Sequence, residues 1–147
     1  MSRMKLAYAG ILALCLLAGL AAAAGAAGVE TSTAALKTIR FVAPKAAEKW
    51  ALGTQVSIHF EGVNVSTTGY WVKLVKGGQV IGAINHLHPL SSSGSGHYQL
   101  EHTCGTLLNG GAYGVGNNYQ LEVATEDGSF AKRSPRFSVV ALTIPVD

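Results

Sequence analysis

The chain has 147 residues, 48% of them apolar, and 11 basic against 8 acidic residues give it a net charge of +3. Without the first 24 residues, which include Arg3 and Lys5, the balance is nine to eight and the net charge only +1. No Lys/Arg cluster and no interleaving of aromatic with basic residues is present, so the electrostatic footprint of a nucleic-acid binder is missing.

Arg3 and Lys5 lead into the apolar stretch Leu6 to Leu20, followed by small residues from Ala21 to Gly28. That order is the charged, apolar and small-residue plan of a cleavable signal peptide, expected over residues 1–24. The protein is therefore expected to be secreted or to lie in the cell envelope, extracellular or periplasmic. Only an uncleaved signal segment would bring it to a membrane. Residues 25–36, small and polar, read as a flexible leader, and residues 37–147 as one domain large enough to bury a core. Cys15 lies in the signal, so Cys104 has no internal partner for a disulfide. Packing alone must hold the domain together.

From Thr38 onward, short β-type runs alternate with Gly, Ser, Asn and Pro, and no segment carries an apolar stripe at helical spacing. Ile39 to Ala43 opens the domain. Thr54 to Glu61 follows, where Val56, Ile58 and Phe60 alternate with Gln55, Ser57 and His59, giving one apolar face and one wet face. Gly69 to Lys76 and Gln79 to Asn85 flank Gly77-Gly78, a link able to take the positive φ angles of a two-residue hairpin. Gly96 to His102 is a middle strand. Asn118 to Thr125 repeats the alternation, with Tyr119, Leu121 and Val123 inward and Gln120, Glu122 and Ala124 outward. Arg136 to Ile144 closes the domain after Pro135.

About seven short strands with turn signals near every ten residues predict an all-β, immunoglobulin-like sandwich, with a closed barrel as the other architecture. Leu90 to Gly96 and Thr103 to Asn118, rich in Ser, Gly and Asn, are expected to be exposed, mobile loops.

Three elements in succession carry a family resemblance: Ile39-Arg40-Phe41-Val42-Ala43-Pro44, Trp50-Ala51-Leu52-Gly53 and Val56-Ser57-Ile58-His59-Phe60. Val72-Lys73-Leu74, Gly96-His97-Tyr98, Tyr119-Gln120-Leu121-Glu122-Val123 and Ser134-Pro135-Arg136-Phe137-Ser138-Val139 continue in the same order. Together they resemble the immunoglobulin-like domain of fungal cell-wall biosynthesis proteins and Ser/Thr-rich GPI-anchored surface proteins. The resemblance implies a non-enzymatic accessory of the cell wall or envelope, with β-glucan association as one possibility. It carries no binding residues with it.

Among residues with chemistry to offer, His86-Leu87-His88 places two imidazoles on one face of a strand. With His102 as a further donor, the three suggest a copper or zinc site, as in a periplasmic metal-binding protein. The plainer reading is of scattered surface histidines, since His88 precedes Pro89 at a strand end. Cys104 has no His-Asn or His-Asp partner at a catalytic spacing. It is either a buried inert thiol or the link to a second chain.

Carbohydrate recognition needs exposed rings that stack on sugar faces, and the candidate ligand-binding residues are Trp71 and Tyr113. If Val72 and Leu74 face the core, Trp71 faces out beside Lys73 while Tyr70 turns inward. Alternatively, Trp71 covers the interface between the sheets. Tyr119 is expected to pin the adjoining loop through its hydroxyl. No carboxylate pair suits a glycosidase. Neither Gly-rich run precedes a helix that could bind phosphate. No enzymatic activity and no cofactor are expected.

The expected function is a non-catalytic module that binds cell-wall polysaccharide or another surface protein. A structural or assembly role at the cell surface is the second reading.

Overall fold

The computed structural model describes residues 36–65 and 68–146. The expected signal peptide and all of the leader but Leu36 lie outside them.

The strands are β1 Thr38–Ala43, β2 Lys49–Ala51, β3 Gln55–Val63, β4 Tyr70–Lys76, β5 Gln79–Leu87, β6 Gly96–Thr103, β7 Gly116–Thr125, β8 Ala131–Arg133 and β9 Phe137–Val140. All seven expected strands are there, and no helix occurs among the described residues. Two short strands, β2 and β8, escaped the sequence. Three residues are too few to show alternation, and all of β8 is exposed. The last strand ends at Val140 rather than Ile144, where its parallel partner β2 also runs out at Ala51.

One sheet has the order β1-β3-β6. The other runs β2-β9-β7-β4-β5, with β8 also against β7. Every pairing is antiparallel except that of β2 with β9. The described residues thus begin in one sheet and cross at 44–48 to the rim of the other. β8 and β9 follow the same edge of β7, Ala131 opposite Ala124 and Phe137 opposite Tyr119. Between them Pro135 has no N–H to give. Ser134 bridges the break, its N–H donating to the Leu121 carbonyl (2.8 Å) and its Oγ accepting from the Leu121 N–H (2.9 Å).

Ile58 and Phe60 of β3, Tyr70, Val72 and Leu74 of β4, and Tyr119, Leu121 and Val123 of β7 are buried as their alternation requires. Two clusters of rings join the sheets. At one end Phe60 stacks on Tyr98 (4.9 Å, 7°), and both meet the edge of Tyr70 from the opposite sheet. Elsewhere Trp50 packs on Phe137 (4.1 Å) and reaches His102, while Tyr119 links Phe137 to Tyr113. The buried tryptophan of the interface is thus Trp50, not Trp71.

Gly77 and Gly78 close the β4–β5 hairpin with φ of 57° and 86°, the two positive values of a type I′ turn. The serine-rich loop is tied down by its own hydroxyls. Ser91 Oγ accepts from the Ser95 N–H (2.9 Å), and Ser95 Oγ accepts from the Asn64 N–H (2.9 Å). Thr103 to Asn118 is not the uniformly exposed loop expected. Cys104 and Tyr113 are buried, Leu107 packs over Gly82 of β5, and the Leu108 N–H donates to the Ala83 carbonyl (2.8 Å).

The serine-rich loop passes close over Gly62 of β3. A Cβ there would lie 2.9 Å from the Gly94 carbonyl oxygen, backbone that cannot turn aside. Gly62→Ala is expected to lower the unfolding free energy by about 1–3 kcal/mol. Gly114→Ala, which meets nothing within 4 Å, should stay within about 0.5 kcal/mol of the parent. Urea denaturation of the two variants checks both.

Candidate functional site

Strand alternation decides which side chains leave the core. Because Tyr70, Val72 and Leu74 all point inward, Trp71 and Lys73 must point to the outer face of the larger sheet. Trp71 is half-buried there, outside the core cluster. Its cross-strand partners are His86 of β5 and Ala124 of β7. Ala124, expected to be wet, is buried beside it.

The Trp71 and His86 rings lie 4.4 Å apart, and His88 presents its ring to His86 at 5.8 Å and 79°. Glu126, in the turn after β7, brings Oε1 to 3.5 Å from His86 Nε2. That nitrogen is closed off from solvent and has no hydrogen-bond partner. Around this aromatic patch the face is charged. Lys73 stands opposite Glu122, which binds Arg133 at 3.0 Å.

The other candidates are elsewhere. His102 points inward from β6 at 6% exposure, sharing a hydrogen bond of 2.8 Å with the Tyr113 hydroxyl. It cannot join His86 and His88, because β6 and β5 belong to opposite sheets and His102 points into the core. Among the described residues no three His, Cys, Asp or Glu side chains are placed to hold a metal ion. Tyr113, at 8% exposure, is an interior ring and not a surface platform.

Cys104 is 1% exposed and held by main-chain bonds on both sides, to Thr54 and Gly53. A second chain cannot reach its sulfur in the folded domain. Burial pushes the Cys104 thiol and the Tyr113 phenol up and pulls His102 down from their ordinary values. All three are thereby kept uncharged.

Sequence reasoning missed two groupings. Glu126 read only as part of a turn. On the outer face of the smaller sheet, Glu61 takes Arg40 at 2.6 Å and His97 Nδ1 at 3.2 Å, with the His59 ring 6.0 Å from that of His97. The Arg40 hydrogen bond holds the Glu61 carboxyl below its usual range. The β1–β3 and β3–β6 registers, which set Glu61 opposite Arg40 on one side and His97 on the other, reveal that group. An open groove of about 280 Å³ lies by Ala47, Asn118, Arg136 and Phe137, and Arg136 is the one ionisable residue lining it. It offers no acid–base pair.

The strand order and the crossing of the N-terminal segment between sheets make this domain an immunoglobulin-like sandwich. No protein-family model matches the chain, and no curated protein matches it. Solved structures do resemble it. The fibronectin(III)-like modules of Clostridium thermocellum CbhA align with a TM-score of 0.40 at 20% identity, over 74% of this chain and 100% of that one. An engineered protein aligns at 0.42 and 10% identity, over 71% of this chain and 20% of that one.

A buried neutral His102 ties stability to pH. The folded state resists protonation that the unfolded chain accepts near 6.5, so the unfolded state binds more protons in acid. Stability is therefore full above about pH 6.5 and falls as the pH drops below it. Melting curves at pH 7.5 and 5.0 should show this loss, and His102→Leu should flatten its slope. Cys104 should react with an aromatic disulfide reagent only after unfolding, with a rate that rises at least about a hundredfold in denaturant.

Proposed function

We propose that the domain is a non-catalytic module of the secreted or cell-envelope space that binds a cell-wall polysaccharide through the outer face of its larger sheet. The observation that carries this reading is Trp71. A large ring held on a rigid central strand, outside the core and backed by His86, is a platform for the apolar face of a sugar. Lys73, Glu122 and Arg133 beside it supply hydrogen-bonding groups for hydroxyls. The resemblance of the strand motifs to fungal cell-wall surface proteins points to the same class of ligand, β-glucan included.

A second reading, surface assembly, is favoured by β5. Its sequence from Gln79 to Leu87 has no charged residue and no proline, Val80 and Ile81 are exposed, and it is an edge strand. Those are the features by which one sheet adds to another.

The purified domain should be retained on insoluble β-glucan, chitin or peptidoglycan, and Trp71→Ala should reduce that retention by about tenfold or more, a stacking contribution of 1.4 kcal/mol or above. Equal retention of the variant would remove Trp71 from the site. No retention on any polymer, together with concentration-dependent sedimentation, would favour assembly through β5.

A further inference from the structure

We propose that β6 is a docking edge for a second copy of this chain, which adds antiparallel, strand against strand, about a two-fold axis at Gln99. Of the strands that border the two sheets, β6 is the regular one. Its register with β3 runs unbroken from Gly96 to Thr103. β1 carries a register shift between Phe41 and Ala43, and β5 carries two against β4. Such bulges spoil an edge for pairing. β5 is also capped, because the Leu108 N–H already donates to the Ala83 carbonyl (2.8 Å). β2 and β8 are only three residues long.

One hydrogen bond fixes the direction of the free main-chain groups of β6. The Cys104 N–H donates to the Thr54 carbonyl (2.9 Å), just beyond the ends of β6 and β3. In an antiparallel ladder the residues that bond to the neighbouring strand alternate. His102, Leu100 and Tyr98 therefore turn their main-chain groups to β3, while Glu101, Gln99 and His97 turn theirs to the open edge. Among the described residues no main-chain bond outside the strand ladders reaches Glu101, Gln99 or His97. Their side chains are exposed, whereas those of Tyr98, Leu100 and His102 are buried. The open edge and the outer face thus present the same row, His97, Gln99 and Glu101.

Reversed, that row is complementary to itself. With the axis at Gln99, the two Gln99 residues face each other and each His97 faces Glu101 of the second copy, every pair exchanging both main-chain hydrogen bonds. Opposite side chains in such a pairing stand about 4.5–5.5 Å apart at Cβ, within reach of an imidazole and a carboxylate. Glu101 forms no ion pair within its own chain among the described residues. Glu61 Oε1 holds His97 from the other side, 3.2 Å from Nδ1, which leaves Nε2 for the second copy. Arg40, Glu61, His97 and the second copy's Glu101 then alternate basic and acidic groups across the joined sheet. An axis at Glu101 would set two carboxylates against each other, and one at His97 would run past the end of the strand at Gly96. The axis at Gln99 is the register that the charges allow.

The contact is independent of the polysaccharide reading, because β6 and Trp71 belong to opposite sheets, and it uses a different edge from β5. A two-fold contact occupies the same edge on both partners, so assembly stops at the dimer.

The test is sedimentation equilibrium of the purified protein from micromolar to millimolar concentration, with amide hydrogen exchange at both ends of that range. A monomer–dimer equilibrium is expected. The amides of His97, Gln99 and Glu101 should exchange fast in dilute solution and slow down as the dimer forms. Those of Tyr98, Leu100 and His102 should stay protected throughout, which also verifies that each variant is folded. Gln99→Lys sets two amines face to face at the axis and Glu101→Lys sets one against His97, so each should weaken dimerisation at least about tenfold. Ile81→Lys on β5 should leave it unchanged. A parent that stays monomeric, species larger than a dimer, undiminished dimerisation in either β6 variant, or loss of the dimer in Ile81→Lys would each overturn the proposal.

Discussion

The Gly94 carbonyl oxygen accepts two phenolic protons, from Tyr70 at 2.7 Å and from Tyr98 at 3.1 Å. Tyr70 belongs to the larger sheet and Tyr98 to the smaller, so one backbone atom in a loop ties both sheets together. Buried phenols need such partners, and the aromatic cluster of Phe60, Tyr70 and Tyr98 packs only when they have them. Gly62 must be glycine for the loop to approach, and the serine hydroxyls hold Gly94 in place. The direction of β4 follows as well. With Tyr70 drawn inward, Trp71 has to face out, and the candidate site exists because the core claimed its neighbour.

With no internal disulfide, the domain relies on packed rings and on hydrogen bonds among buried polar groups. The second cluster shows the method. Trp50 donates its Nε1–H to Glu48 at 3.0 Å, Tyr119 donates to the Gly114 carbonyl at 2.8 Å, and Tyr113 and His102 satisfy each other. Tyr119 thereby pins its loop, as its place after Gly116-Asn117-Asn118 suggests. The same logic explains why His102 and Cys104, reactive residue types, are inert here. Desolvation keeps both neutral, and their neighbours occupy every approach.

The outer faces obey different rules. There the core imposes nothing, and polar and aromatic residues pair across strands according to register. Glu61 with His97 and Arg40 on one sheet, and Trp71 with His86 and Glu126 on the other, are separated by 15 to 55 residues in sequence or by a sheet edge, yet share a few ångströms. With His59 beside His97 and His88 beside His86, these two groupings use four of the five histidines of the chain. Such contacts are where a scaffold of this kind acquires chemistry.

The sequence by itself determined the class of fold, the identity of the long strands and the direction of their side chains. A period of two is a local property, readable at Ile58 and Phe60, at Tyr70, Val72 and Leu74, and at Tyr119, Leu121 and Val123. Gly77-Gly78 likewise announces its hairpin, because the φ requirement is local too. Tertiary structure alone decided which strand faces which. It placed β2 beside β9, buried Tyr113, Cys104 and His102 within an apparently open loop and strand end, and made Trp50 the interface tryptophan. It also brought Glu126 to His86 and turned His102 into the core. Register and sheet order are set by the sum of many contacts across the core, and no short stretch of residues contains that sum.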